Sequence, residues 1–98
     1  METTMNIKAK WNGRVLAESP EVIVVDGYSY FPPQTVDHTL LEPSSHRTTC
    51  PRKGIAHYFD VRLGDVRTEN AAWTYPDPKP VAENIRDRIA FWKDIEVG

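Results

Sequence analysis

The chain of 98 residues has a single cysteine, Cys50, and no apolar run that approaches the ~20 residues of a membrane span. One cysteine cannot form an internal disulfide, which is typical of a protein in a reducing compartment. The first six residues have neither the basic start nor the apolar stretch of a secretion signal. We therefore expect a cytoplasmic protein that has no membrane partner.

The sequence also lacks an excess of positive charge and the motifs of phosphate and metal chemistry. A net charge of -2 and a pI near 5.9 argue against a nucleic acid held by phosphate neutralisation. No Cys-x-x-Cys, His-Glu-x-x-His or P-loop motif is present, and Cys50 with His46 and His57 is a poor zinc set. We expect no nucleic-acid partner, no metal and no other cofactor.

Length and turn chemistry indicate the fold class. A chain of this size buries roughly two-thirds of its unfolded surface in one core, so residues 1–98 are expected to form a single domain. Three turn dipeptides separate strand-like segments: Asn12-Gly13, Asp26-Gly27 and Gly64-Asp65. The prediction is a mainly β protein, a small antiparallel β-sandwich or partly open barrel built from hairpins, with one C-terminal helix.

The turn positions also predict strand registers. A two-residue turn at Asn12-Gly13 places Trp11 opposite Arg14 and Ala9 opposite Leu16. The next hairpin, residues 22–31, is apolar on both faces, and we therefore expect it to be central in the fold.

The predicted helix covers Asp77 to Ile85. Asp77 is a suitable N-cap, and Pro78 suits the first helical position. Its expected buried stripe consists of Val81, Ala82 and Ile85. Residues 89–92 are expected to return as a short edge strand.

Reactive side chains concentrate between Ser45 and Tyr58. This segment holds the only cysteine and two of the three histidines, and no carboxylate occurs from residue 44 to residue 59. Arg47, Arg52 and Lys53 favour a small anion as the ligand. Gly54 is expected to supply a positive-φ turn, and the Lys53 ammonium is either solvated or placed to bind a carboxylate or phosphate.

The candidate ligand-binding residues have hydroxyl, cationic or aromatic side chains: Ser45, Thr48, Lys53, Tyr58, Trp73 and Tyr75. Ser45 and Thr48 have an alternative role as turn caps. Trp73 and Tyr75 are expected on one strand face, where they form either core or a wall for a planar or cationic ligand.

Cys50 and His57 are the candidate catalytic pair. Nearby cations would lower the thiol pKa, and His57 or His46 would act as the base. The alternatives are a buried Cys50 packed under its turn and a core His57, because alternation along residues 55–63 places His57 with the apolar set.

Five blocks of the chain resemble a known family: Trp11-Asn-Gly13, Tyr30-Phe-Pro-Pro33, Cys50-Pro-x-Lys53-Gly-x-Ala-x-Tyr58, Ala72-Trp-x-Tyr-Pro-x-Pro78 and Ile85-x-x-x-Ile-Ala-Phe91. In this order, over about residues 7–97, they look like domain-of-unknown-function family 427. The resemblance implies a small, mainly β domain and a family label of nucleotidyltransferase. Arg52 and Phe59 depart from the pattern, in which an aromatic residue and a second tyrosine are common.

The residues do not support nucleotidyl transfer. That reaction normally uses paired carboxylates to hold Mg²⁺ and a backbone cradle for phosphates, and the chain has no Asp-x-Asp or Glu-x-Glu pair and no glycine-rich phosphate loop. The sequence instead predicts a domain that binds a small polar or anionic molecule. A cofactor-independent enzyme and a structural or homo-oligomeric module remain as alternatives.

Overall fold

Nine β-strands make up most of the protein in the computed structural model, which describes residues 6–98. The strands are β1 (Ile7–Trp11), β2 (Arg14–Ser19), β3 (Ile23–Val25), β4 (Tyr28–Tyr30), β5 (Leu41–Cys50), β6 (Gly54–Leu63), β7 (Val66–Thr74), β8 (Ile89–Phe91) and β9 (Glu96–Val97). Adjacent strands pair antiparallel throughout these residues. The predicted mainly β, antiparallel architecture is confirmed, and the strands that the structure describes form no closed barrel.

Three sheets are present in the described part of the chain, with strand orders β2-β1-β9, β3-β4 and β5-β6-β7-β8. The β3-β4 hairpin is tied to the four-stranded sheet just after β4. There the backbone N–H of Phe31 donates to the Ile89 carbonyl at 2.8 Å, and the N–H of Ile89 donates back at 3.0 Å. This exchange brings the β4 side chains over one face of the larger sheet.

Both Asx-Gly hairpin turns have the predicted geometry. Asn12 and Gly13 have φ of 50° and 77°, and Asp26 and Gly27 have φ of 52° and 85°. Positive φ at both central residues is the type I′ signature, whose twist matches that of the flanking strands.

The predicted register of the first hairpin is only partly right. Trp11 lies opposite Arg14 as expected, but Ala9 lies opposite Ala17 instead of Leu16 because a bulge interrupts the pairing. The bulge lets the consecutive residues Leu16 and Ala17 both be buried, which regular alternation would not allow.

The expectation that the second hairpin is central is wrong. Strands β3 and β4 form a separate two-stranded sheet, and the Val24 side chain is 64% exposed. Tyr30 is fully buried and anchors this hairpin through one face, while the other face remains open to solvent. An apolar pattern on both faces therefore did not indicate burial on both faces.

Two apolar clusters lie on opposite faces of the four-stranded sheet. Alternate residues of its strands supply the first cluster, which includes Val61, Ala72 and Phe91, and the second, which includes Ala56 and Trp73. The predicted C-terminal strand is confirmed as β8, and all three of its residues are buried because both faces of the sheet are covered at this strand.

The predicted C-terminal helix is not formed. A 3₁₀ segment covers Pro80–Ile85 instead, with non-helical angles at Ala82, and Lys79 rather than Asp77 precedes it. Pro80 disfavours helical angles at Lys79, whose N–H donates to the Lys53 carbonyl at 2.9 Å. Of the predicted stripe, Ala82 and Ile85 are buried and Val81 is 77% exposed.

Candidate functional site

A cavity of about 260 Å³ opens on the face of the four-stranded sheet that carries the second cluster. Its lining is mainly aromatic and consists of Asp26, Tyr28, Tyr30, Lys53, Tyr58, Trp73, Tyr75 and Trp92. The structure thus brings together four of the six predicted ligand-binding residues: Lys53, Tyr58, Trp73 and Tyr75.

Strand pairing explains why these aromatic residues meet. Trp73 on β7 lies directly opposite Tyr58 on β6, and paired residues of antiparallel strands project from the same face. Tyr28 and Tyr30 are two residues apart on β4, so their side chains also share one face.

Trp73 is the centre of the cluster. Its indole Nε1 donates a hydrogen bond of 3.2 Å to the Tyr30 hydroxyl. Ring centroids of Tyr28, Trp92 and Tyr58 lie 4.9, 5.9 and 6.2 Å from the Trp73 centroid. These spacings are typical of interacting aromatic pairs.

The hydroxyls of Tyr30 and Tyr75 are protonated at neutral pH. Burial raises the pKa of Tyr30 and of Tyr75 above the ordinary value for tyrosine, because the phenolate loses hydration in the apolar cluster. Each hydroxyl therefore has a proton that can be donated to a polar ligand.

Lys53 supplies a fixed cation at the cavity. Its side chain is only 11% exposed, and its ammonium forms an ion pair and a hydrogen bond with the Asp26 carboxylate. This hydrogen bond raises the Lys53 pKa and lowers the Asp26 pKa. Of the two alternatives for Lys53, the solvated ammonium is therefore wrong, and its use in binding an anion stays a prediction.

Arg52 adds a second cation to the same carboxylate. Its guanidinium nitrogen lies 3.5 Å from an Asp26 oxygen, and its side chain is largely exposed. Two cations thus share one carboxylate, which leaves a local charge of +1 that an anionic group can neutralise.

The turn that carries Lys53 is fixed by the segment before the 3₁₀ turn. Besides the backbone bond to Lys53, the Lys79 ammonium donates to the Pro51 carbonyl at 2.6 Å. Gly54 has φ of 114°, and a Cβ there would lie 3.3 Å from the Asp77 carbonyl oxygen. The predicted positive-φ glycine is confirmed, and it also permits this close backbone approach.

Cys50 lies beside the cavity without lining it. Its half-buried thiol packs against the second cluster. Hydrogen bonds from the backbone N–H groups of Lys53 and Arg52, the former stronger, lower the Cys50 pKa. The thiolate is thus favoured by the turn, as the sequence suggested, although backbone groups contribute more than side-chain cations.

His57 projects from the other face of the sheet. Cys50 pairs with Gly54, and His57 is three positions after Gly54 on β6; an odd number of positions places the two side chains on opposite faces. His57 is only partly buried, and Ile55 on its face is half exposed. The structure therefore does not bring Cys50 and His57 together, and the apolar face around His57 is incompletely covered.

The two predicted hydroxyl ligands are separated from one another. Thr48 Oγ1 lies 3.1 Å from the Tyr58 hydroxyl, at the edge of the aromatic cavity. Ser45 lines a different and strongly polar groove together with Arg47, Asp60 and Arg67.

Four cavity residues were missed at the sequence level: Asp26, Tyr28, Tyr30 and Trp92. Asp26 was assigned only to a hairpin turn, and the tyrosines only to the hairpin. Asp26 and the two tyrosines belong to the β3-β4 hairpin, whose position over β7 depends on the pairing of Phe31 with Ile89. The density of aromatic residues in this hairpin was the one available signal.

Within residues 6–98 no three His, Cys, Asp or Glu side chains converge as a metal site would require. Within the same residues no helix has the length and apolar character needed to cross a bilayer.

The sequence also matches a known protein family. A family model described as a domain of unknown function, DUF427, matches residues 1–97. The chain belongs to this family. No curated protein matches the sequence. The resemblance expected from the five sequence blocks is confirmed, and DUF427 membership alone assigns no reaction or ligand.

Proposed function

We propose that this DUF427 domain binds a small polar or anionic molecule in the aromatic cavity beside Lys53. The observation that carries the proposal is the convergence, on one face of the sheet, of a fixed cation, protonated tyrosine hydroxyls and tryptophan rings. Cavities with a few polar groups on an aromatic lining are the usual form of small-molecule sites.

Charge favours an anionic group at the Lys53 end. A second cation, Arg52, pairs with Asp26 from the neighbouring cavity that Lys53 also lines, and it adds to the positive charge near Lys53. A carboxylate or phosphate could accept hydrogen bonds from Lys53 and Tyr75 while the rest of the ligand contacts the rings.

A thermal-shift screen of small anions tests the proposal, because a ligand that binds the folded state raises Tm. We expect at least one carboxylate or phosphate to stabilise the protein, and Lys53→Met to abolish the shift. The matched control is Lys10→Met, since Lys10 is an exposed lysine on β1. Equal shifts in all three proteins, or none in the unsubstituted protein, would contradict the proposal.

A cofactor-independent reaction with Cys50 as nucleophile is the second candidate. The lowered pKa of the thiol favours it, although any base would have to be a group other than His57. Alkylation by iodoacetamide at neutral pH, compared with a free thiol, measures this reactivity. A rate no faster than that of the free thiol would count against an enzyme.

The remaining predictions concern assembly and location. Homo-oligomer formation through the exposed β5 edge, absence of a nucleic-acid partner and a cytoplasmic location stay predictions. Sedimentation of the purified protein measures the first directly.

A further inference from the structure

The rings around the cavity stand at steep angles to one another. The planes of Tyr28 and Trp92 make angles of 85° and 83° with Trp73, and Tyr58 is tilted by 36°. A flat ligand stacks best in a slot between parallel faces, and these described pairs provide none. A corner of perpendicular rings suits a compact, rounded group.

The charges at the rim form a dipole. The Asp26 carboxylate and the Lys53 ammonium both line the cavity, so both signs of charge face the same small space, and Arg52 contacts Asp26 from outside this lining. An anionic group is attracted by the excess of positive charge near Lys53, and a positive charge elsewhere on the same ligand is attracted by the Asp26 carboxylate. A zwitterion can align both of its charges favourably.

A methylated ammonium fits the aromatic end better than a primary amine. A primary ammonium needs hydrogen-bond acceptors, whereas a methylated one interacts well with aromatic faces. The ammonium of Lys93 already lies 5.5 Å from the Trp92 ring centroid, so this indole interacts with an organic cation in the folded protein.

We propose that the cavity takes a small zwitterion, with a methylated ammonium against Trp73, Trp92 and Tyr28 and a carboxylate at Lys53. This inference rests on the proposed function and specifies the class of ligand. It requires no chemistry beyond binding.

Isosteric pairs of compounds test it by calorimetric titration. Trimethylammonioacetate and 3,3-dimethylbutyrate have the same shape and the same carboxylate, but nitrogen with its positive charge replaces carbon in the former. The longer pair, 4-(trimethylammonio)butyrate and 5,5-dimethylhexanoate, covers a wider separation of the two ends. We expect the ammonium member of at least one pair to bind about tenfold more tightly, as desolvated cation–π contacts allow.

Two substitutions of the same residue provide the matched control. Both Trp92→Leu and Trp92→Phe remove the indole hydrogen bond to the Asn70 carbonyl, but only Trp92→Phe keeps an aromatic face. The preference for the ammonium member is expected to persist in Trp92→Phe and to fall below about threefold in Trp92→Leu.

The possible failures are distinguishable. Equal or tighter binding of the carbon isosteres overturns the zwitterion inference and leaves the proposed function intact. If none of the four compounds binds while other anions still raise Tm through Lys53, the inference is again overturned and the proposed function stands. Absence of any Lys53-dependent ligand overturns both.

Discussion

At the scale of residues, the ion pair between Lys53 and Asp26 dominates the electrostatics of the cavity. Folding raises the pKa of Lys53, so its contribution to stability is lost as pH rises through the folded value. Folding lowers the pKa of Asp26, so its contribution is lost as pH falls through that folded value. The pair therefore stabilises the protein between about pH 4 and about pH 10.

Asp26→Asn tests this window. We expect the variant to be less stable than the unsubstituted protein at pH 7, and the difference to shrink as pH falls through the lowered pKa of Asp26. Urea unfolding at several pH values measures the difference. A difference that does not change with pH would show that the pair is not the cause.

Gly54→Ala tests the close approach at the Lys53 turn. The backbone angle and the contact with the Asp77 carbonyl both oppose a side chain, and we expect a loss of about 2 kcal/mol or more. Gly64→Ala is the control, since Gly64 has φ of 61° but open space around it, and should lose about 1 kcal/mol. Equal losses would argue against the contact.

The sequence predicted the positions of individual side chains where those positions depend on local sequence pattern alone. Trp73 and Tyr75 were placed on one strand face because strand alternation depends only on sequence spacing. The Lys53–Asp26 pair joins residues 27 positions apart, in the turns of two different sheets, and local patterning carries no information on such a contact.

At the scale of elements, the segment Pro80–Ile85 separates the observed structure most clearly from the predicted helix. Ile85→Ala should cost about 2–5 kcal/mol because the side chain is fully buried. Val81→Ser should change stability by less than about 0.5 kcal/mol because Val81 is exposed. Chemical denaturation measures the free energy of unfolding of both variants. A large loss of stability in Val81→Ser would indicate that Val81 is buried, as the predicted helix required.

The same contrast shows which elements a sequence can specify. Hairpin turns were predictable because the Asn-Gly and Asp-Gly dipeptides determine backbone angles locally. The bulge in the β1-β2 pairing was not predictable, because it accompanies the burial of both Leu16 and Ala17, which depends on tertiary packing. The prediction of a helix at Asp77–Ile85 was wrong because the backbone N–H of Lys79 donates to the carbonyl of Lys53, in a turn distant along the chain.

At the scale of the whole molecule, the two apolar clusters share strands β6 and β7 and should unfold together. Trp11 belongs to the first cluster and Trp73 to the second. In a urea titration followed by NMR, their indole signals are expected to disappear with one midpoint. Two separate midpoints would contradict the prediction of a single domain.

The central claim is that the aromatic cavity beside Lys53 is a ligand site, and the three tryptophan indole N–H signals test it most directly. Trp73 and Trp92 line the cavity and Trp11 does not, so Trp11 is an internal control. During titration with the best ligand from the thermal-shift screen, we expect the Trp73 and Trp92 signals to move in a saturable way while the Trp11 signal stays in place. A shift of Trp11 alone, or no shift at Trp73 and Trp92 under saturation, would contradict the claim.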